Sequence, residues 1–221
     1  MEIMNSYINI VLASFITLFP VVNPIGTAFI LNPFFNDLSK SEQKSIAKKI
    51  AVYAFSICLV TIMLGQYILE VFGLSIPVVQ LAGGIMICKI GWEFMGDNPQ
   101  NSQLEIKDSN SFTLIQNKLF YPITFPTTTG AGTIAVLLAL TAHNKGVTYL
   151  HTLVNMSAIL VAVIVISILI YIFYSNTSRL INYWGATEKN IINKISAFLV
   201  FCVGLEIAAT GLFNLIKLFS H

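Results

Sequence analysis

Two short segments of this sequence place proline, glycine and threonine inside long apolar stretches. They are residues 20–27 (PVVNPIGT) and residues 122–133 (PITFPTTTGAGT). Proline lacks a backbone donor and clashes with the carbonyl four residues earlier, while glycine loosens the backbone, so each segment should interrupt a helix. The unpaired amides and carbonyls are tolerated in a membrane only against protein or a water-filled cavity. There they could bind a polar solute.

The polar groups in these two breaks are the candidate ligands. Amides at the start of each second half-helix could hold a carboxylate, because the N–H groups of a helix N-terminus point towards a bound anion. The alternative is that both segments are kinked helices whose threonines bond to their own backbone and serve packing only. The candidate substrate-binding residues are Asn23, Pro24, Gly26, Thr27, Thr127, Thr128, Gly130, Gly132 and Thr133, with Thr129 beside them.

A carboxylate within an apolar stretch is the second candidate for chemistry. Glu206 lies near the middle of residues 195–216, and an ionisable residue inside a membrane is costly and therefore a functional candidate. It could take up and release a proton. The alternative is a protonated glutamic acid hydrogen-bonded to a neighbouring helix. Lys89 and Glu93, four residues apart, are better explained as a pair at a helix end that reaches the interface.

Other kinds of chemistry find no support in the residue pattern. His143 and His151 are eight positions apart, which is not a helical spacing for metal ligands. Cys58, Cys88 and Cys202 also lack metal-ligand spacing and are expected to pack as small apolar residues. The sequence contains no catalytic triad, paired carboxylates or phosphate-binding loop. We therefore predict no enzymatic activity, no metal, no cofactor and no nucleic-acid partner.

The elements that must position these residues are apolar helices. The chain of 221 residues is 56% hydrophobic and 10% charged, against about 45–50% and about 25% in soluble domains. A helix needs about 20 apolar residues to cross a bilayer. The sequence therefore predicts an all-α polytopic membrane protein that is in contact with membrane lipid. Its six spans are expected within residues 5–36, 50–69, 71–88, 119–144, 146–178 and 195–216.

Charge and local signals organise these spans. Nine of the eleven basic residues outside the spans fall on one side, which the positive-inside rule makes cytoplasmic, so both termini should be periplasmic. Ser39 and Glu42 have the spacing of a capping box that would start the second span. In residues 72–77, Gly73 permits a turn, Ser75 can cap a helix and Pro77 suits its first turn. Residues 96–118 are predicted to form a polar cytoplasmic linker.

The two halves of the chain, residues 1–95 and 119–221, resemble each other. A shift of 113 residues pairs Gly91 with Gly204 and Glu93 with Glu206. Because each half has three spans, a genuine repeat would insert the second half upside down, as in many secondary transporters. Small residues at helical spacing predict two packing seams, formed by Gly84, Cys88 and Gly91 and by Gly204, Ala208 and Gly211.

These segments resemble the MarC family of six-span bacterial inner-membrane proteins. The resemblance is carried, in order along the chain, by LFPVVNPIG (18–26), FGLSIP (72–77) with LAGG (81–84), FPTTTGAGTI (125–134) and ISAFLVFCVG (195–204). The family's second break usually reads Gly-Pro-Gly, whereas this chain has Gly130-Ala131-Gly132, so a softer break is expected here. The resemblance implies a multi-pass inner-membrane protein with periplasmic termini. Some relatives look like transporters of small neutral amino acids.

The function predicted from these observations is secondary transport of a small polar solute, such as a neutral amino acid, bound between the two broken helices. Two alternatives are kept. One is a non-transporting membrane protein with a structural or partner-binding role, and the other is a multidrug exporter, which the small residues around the breaks do not favour. Homo-oligomerisation is left open.

Overall fold

The computed structural model describes residues 2–35, 38–96, 115–116, 118–144, 148–177, 179–180 and 186–219, and every regular element among them is helical. The first half contains four α-helices and the second half contains a π-helical segment followed by three α-helices. They are α1 (Glu2–Val22), α2 (Pro24–Phe35), α3 (Lys40–Val71), α4 (Ile76–Met95), the π-helical segment (Leu119–Thr128), α5 (Ala131–His143), α6 (Tyr149–Ser175) and α7 (Ala186–Phe219).

The prediction of apolar spans is confirmed in part. Within the described ranges, four segments are long and apolar enough to cross a membrane: Ser6–Ala28, Lys40–Gly65, Tyr149–Ser175 and Ala197–Phe219. Two further apolar helices, Ile76–Lys89 and Gly132–His143, are shorter. The second of these is short because the break at Gly130 precedes it. The count of six spans, the inverted repeat and the orientation of the termini stay predictions, and most of the predicted linker lies outside the described residues.

The start of α3 follows the predicted capping box. The hydroxyl of Ser39 accepts a hydrogen bond from the Glu42 amide at 3.3 Å, while the Ser39 amide donates to the Glu42 carboxylate at 2.9 Å. Each side chain thus satisfies the free backbone donor of the other residue. The helix accordingly begins at Lys40.

The turn between α3 and α4 also has its predicted form, with one exception. Gly73 has a φ of +64°, which favours glycine because it lacks a Cβ. Pro77 lies in the first turn of α4, where its missing N–H costs nothing. Ser75 occupies the capping position, but its side chain makes no capping hydrogen bond, so the expectation for this side chain was wrong.

The two predicted packing seams face each other. A Cβ at Gly91 would lie 2.7 Å from the amide nitrogen of Phe201, and a Cβ at Gly204 would lie 2.6 Å from that of Cys88. Because real Cβ atoms do not approach backbone so closely, the glycines let the backbones of α4 and α7 touch. This is the way in which small residues hold membrane helices together in the absence of a hydrophobic driving force.

The core lies where α1, α2, α3, α5 and α6 meet, and it includes Leu18, Leu31, Ile50, Leu137 and Ile166. The outer faces remain apolar. Val71, Phe72, Trp92, Tyr149 and Phe219 are each more than two-thirds exposed. Exposed apolar surface on this scale marks a surface that is covered by something other than water. Lipid is the covering that the apolar helices indicate.

Candidate functional site

The first predicted break occurs at Asn23, between α1 and α2. Asn23 has a φ of +44°, a backbone conformation that asparagine adopts more readily than most other residues with a side chain. Its side-chain oxygen accepts a hydrogen bond from the Gly26 amide at 3.1 Å, and Pro24 takes the first position of α2, where proline is favoured. Asn23 therefore caps α2. The amides at the start of this half-helix are already partly satisfied by the chain itself.

The second predicted break is built differently. Residues Leu119–Thr128 form a π-helical segment that is kinked. The kink lies at Tyr121 and Phe125, whose backbone angles are extended. Thr124 and Thr128 donate to the carbonyls five residues earlier, those of Leu119 and Ile123, at 2.7 and 2.9 Å. The chain then turns at Thr129 and Gly130 before α5 begins at Ala131. Threonine hydroxyls thus add hydrogen bonds to the carbonyls of this irregular backbone.

The two half-helices that follow the breaks differ at their N-termini. Gly130 is the capping residue of α5 and has no side chain, and no described side chain caps this helix. The first amides of an α-helix have no partner within the helix. The start of α5 therefore lacks a side-chain cap, whereas Asn23 caps α2. The sequence did not distinguish the two helices in this respect.

A small cavity lies between the two breaks. The cavity has a volume of about 10 Å³, which is about the space that one water needs. Its wall is formed by the C-terminal end of α1, the middle of α3, the first turn of α5 and the C-terminal half of α6. The described lining residues are Leu18, Val22, Ala54, Cys58, Thr129, Thr133, Val163, Ile166, Ser167 and Ile170.

Thr129 gives this apolar cavity an unused polar group. Its side chain is 1% exposed, and its hydroxyl has no hydrogen-bond partner among the described residues. Burying a hydroxyl without a partner costs about 1–3 kcal/mol. Thr129 lies immediately before Gly130, so its unsatisfied hydroxyl is buried in the wall of the cavity, next in sequence to the start of α5. An unsatisfied buried group needs an explanation such as a bound ligand or water.

One side chain connects the two breaks directly. The hydroxyl of Tyr174, on α6, lies 3.1 Å from the Thr128 hydroxyl and has the Thr27 side chain as a polar neighbour. All three residues are buried. A buried tyrosine hydroxyl normally finds a partner, and here the partner is Thr128, with Thr27 of the other broken helix beside it. Tyr174 was not singled out in the sequence, where a tyrosine near the end of an apolar helix also fits a position at the membrane surface.

The predicted site residues fall into four groups. Thr133 lines the cavity, with Gly130 and Gly132 near it at the start of α5, whereas Thr27 and Thr128 are buried against Tyr174. Asn23, Pro24 and Gly26 form the cap of α2, and Thr127 is half-buried in the π-helical segment. A Cβ at Gly132 would lie 3.5 Å from Val21, so the two breaks adjoin. Whether these residues bind a solute stays a prediction.

Glu206 lies elsewhere. Its side chain is exposed on α7, nine residues after Ala197 and 13 before Phe219 in a segment that could span the membrane. It is not among the cavity-lining residues. Its proposed part in proton coupling stays a prediction, without a contact to the cavity to support it. Among the described residues there is also no group of three or more His, Cys, Asp or Glu side chains that could hold a metal ion.

Long apolar helices, apolar outer faces and a polar break in the interior define an integral membrane protein. The model of the family described as "MarC family integral membrane protein" matches residues 8–216. The chain therefore belongs to the MarC family, as its motifs indicated.

Curated relatives agree with this assignment. The chain is 26% identical over 204 residues to a UPF0056 membrane protein of Aquifex aeolicus, covering 92% of each chain. It is 24% identical over 210 residues to the UPF0056 inner membrane protein MarC of Escherichia coli (strain UTI89), covering 91% of this chain and 93% of the relative. It is 26% identical over 199 residues to the UPF0056 membrane protein YvbG of Bacillus subtilis, with 90% and 92% coverage. No solved structure matches the chain.

Proposed function

We propose that this protein is a secondary transporter of a small polar solute that carries a carboxylate, such as a small neutral amino acid. The observation that carries the proposal is the pairing of the unsatisfied Thr129 hydroxyl with the uncapped N-terminus of α5 at one buried cavity. Helix N-termini at broken membrane helices hold the carboxylates of transported substrates by this combination of free N–H groups and helix dipole.

The size and lining of the cavity limit the solute. The space takes about one water molecule, so the conformation described is a closed one, into which a solute enters after the walls move apart. Apart from Thr129, Thr133 and Ser167 the lining is apolar. A carboxylate with a short apolar substituent matches this lining. A bulky drug-like molecule does not, which argues against the multidrug exporter.

Six spans in two inverted halves would suit alternating access, and the seam between α4 and α7 supports this architecture. The thiol of Cys88 donates to the carbonyl of Phe201 at 3.7 Å. These two residues are 113 positions apart, which is the shift that pairs Gly91 with Gly204. Equivalent positions meet where a two-fold axis would pass. Two further close contacts are exchanged by the same shift. Gly91 approaches Phe201, and their equivalents, Gly204 and Cys88, also approach each other.

The experiment is flux of labelled glycine, alanine and serine in proteoliposomes, with a small amine without a carboxylate as the comparison solute. We expect saturable flux of at least one amino acid and inhibition by carboxylates, but no flux of the amine. Empty liposomes provide the background. Protein that is monodisperse yet shows no solute-dependent flux across this panel would overturn the proposal and favour the non-transporting role.

A further inference from the structure

Three buried hydroxyls form a layer next to the cavity. Tyr174 lies one helical turn after Ile170, and Thr128 immediately precedes Thr129; Ile170 and Thr129 both line the cavity. Thr27 lies four residues after the break at Asn23. The layer of Thr27, Thr128 and Tyr174, which we call the hydroxyl layer, thus lies between the cavity and the side of the membrane at which α6 ends.

The residues of the hydroxyl layer are buried and closely packed. Tyr174, Thr128 and Thr27 are 0%, 2% and 4% exposed. The ring of Phe35, at the end of α2, packs on Tyr174 with 6.5 Å between the ring centroids. The side chain of Gln43, on α3, donates to the Tyr174 carbonyl at 3.0 Å. Tyr174 is therefore the point at which α2, α3, the π-helical segment and α6 are joined.

The hydrogen bond between Tyr174 and Thr128 can break without leaving the threonine donors unpaired. Thr27 donates to the Val22 carbonyl at 3.3 Å and Thr128 donates to the Ile123 carbonyl at 2.9 Å. Tyr174 is then the donor in its contact with Thr128. When Tyr174 moves away, both threonines keep their backbone partners, and only the tyrosine hydroxyl needs a new one. A water or a polar solute group can supply it.

We propose that Tyr174 is a gating residue of this protein. The contact of its hydroxyl with Thr128, beside Thr27, keeps the cavity closed on the side at which α6 ends, and solute passes on that side only when this hydrogen bond opens. The inference rests on the proposed solute cavity. It assigns the moving contact to one side chain and to one side of the membrane.

The test uses a single reporter cysteine in a background in which the three native cysteines are replaced by alanine. Ser167→Cys places the thiol in the cavity wall with little change in shape. A charged, membrane-impermeant thiol reagent is applied from one side of the membrane at a time. In a parallel sample, Lys40→Cys marks the side at which α6 ends, because Lys40 is exposed at the start of α3, beside Gln43.

Tyr174→Phe removes the hydroxyl and its hydrogen bond, which weakens the closed state. The labelling rate at Ser167→Cys should therefore rise by about fivefold from the side at which α6 ends. Labelling from the other side should not change. Tyr171→Phe is the matched control, because Tyr171 is on the same helix and 37% exposed. It should label like the parent.

Equal labelling of Tyr174→Phe and the parent would overturn the proposal, and so would an equal rise from both sides. If Tyr174→Phe does not fold, Thr128→Val provides the same test, because it removes the partner hydroxyl. Thr128→Ser keeps that hydroxyl and should label like the parent. Parent-like labelling of the serine variant supports the proposal, and raised labelling of it overturns the proposal. Flux is measured on the same samples. A one-sided labelling increase without flux would support the gate and refute transport.

Discussion

The side-chain oxygen of Asn23 reaches the Gly26 amide because Gly26 has no side chain. A Cβ at this position would collide with the side-chain amide of Asn23 and would lie 2.8 Å from its Cγ. The first break is therefore held by a cap that depends on both residues. Gly26 is therefore needed because it leaves room for the Asn23 side chain, and not because it makes the backbone flexible.

Gly26→Ala should accordingly lower the free energy of unfolding by about 0.5–2 kcal/mol, the cost of losing a capping side chain. The measurement is the thermal unfolding midpoint in detergent. Asn23→Gly is the matched background, because glycine tolerates the positive φ but cannot cap. In that background Gly26→Ala should cost little more. A full additional loss would contradict the account.

Thr129→Val should separate stability from function. Valine keeps the shape of threonine and removes an unsatisfied buried hydroxyl, so the unfolding midpoint should stay the same or rise. Loss of a hydrogen bond to the solute should raise the KM for amino-acid flux by about tenfold, which corresponds to about 1.4 kcal/mol.

The control for this variant is Ser14→Ala. Ser14 is also fully buried with an unpartnered hydroxyl among the described residues, but it does not line the cavity. Its replacement should leave both the midpoint and the KM close to the parent values. Equal KM changes in the two variants would show that the Thr129 hydroxyl has no special part in binding.

Gly204→Ala should destabilise the seam between α4 and α7. The added methyl would meet the backbone of Cys88, which cannot rotate away, so we expect a loss of about 1–3 kcal/mol as in other overpacked cores. Ala209→Leu, on the exposed face of the same helix, is the control and should be tolerated. The fraction of protein that remains monodisperse after heating in detergent measures both.

Glu206→Gln tests proton coupling. Because Glu206 lies outside the cavity, the variant should keep the parent KM in the absence of a gradient. The coupling hypothesis further predicts that its flux no longer responds to a proton gradient. Fluxes of parent and variant are compared with and without an imposed gradient, and an identical response in both would exclude Glu206 as the coupling residue.

Much of the local structure could be predicted from the sequence because its causes are local. The capping box of Ser39 and Glu42 and the turn at Gly73 depend on residues within a few positions of each other. The two breaks were predicted for the same reason, since proline and glycine act on their own helix. The cap formed by Asn23 was missed, although asparagine followed by proline is a recognisable sign of a helix start.

The joining of the two breaks by Tyr174 depends on long-range packing. Helix α6 is apolar on all sides, so the pattern of its residues does not show which face turns inward. The sequence therefore gave no reason to prefer Tyr174 over Tyr171. The exposed position of Glu206 was likewise beyond prediction, because a lone carboxylate in an apolar stretch has the same appearance whether it faces a cavity or the outside.

The contact between α4 and α7 limits how the molecule can deform. Packed helices slide past one another by small rotamer adjustments of the side chains between them. At Gly91 and Gly204 backbone meets backbone, so few side chains lie there to absorb such sliding. We expect α4 and α7 to move together, with larger displacements taken up by the interrupted helices around them.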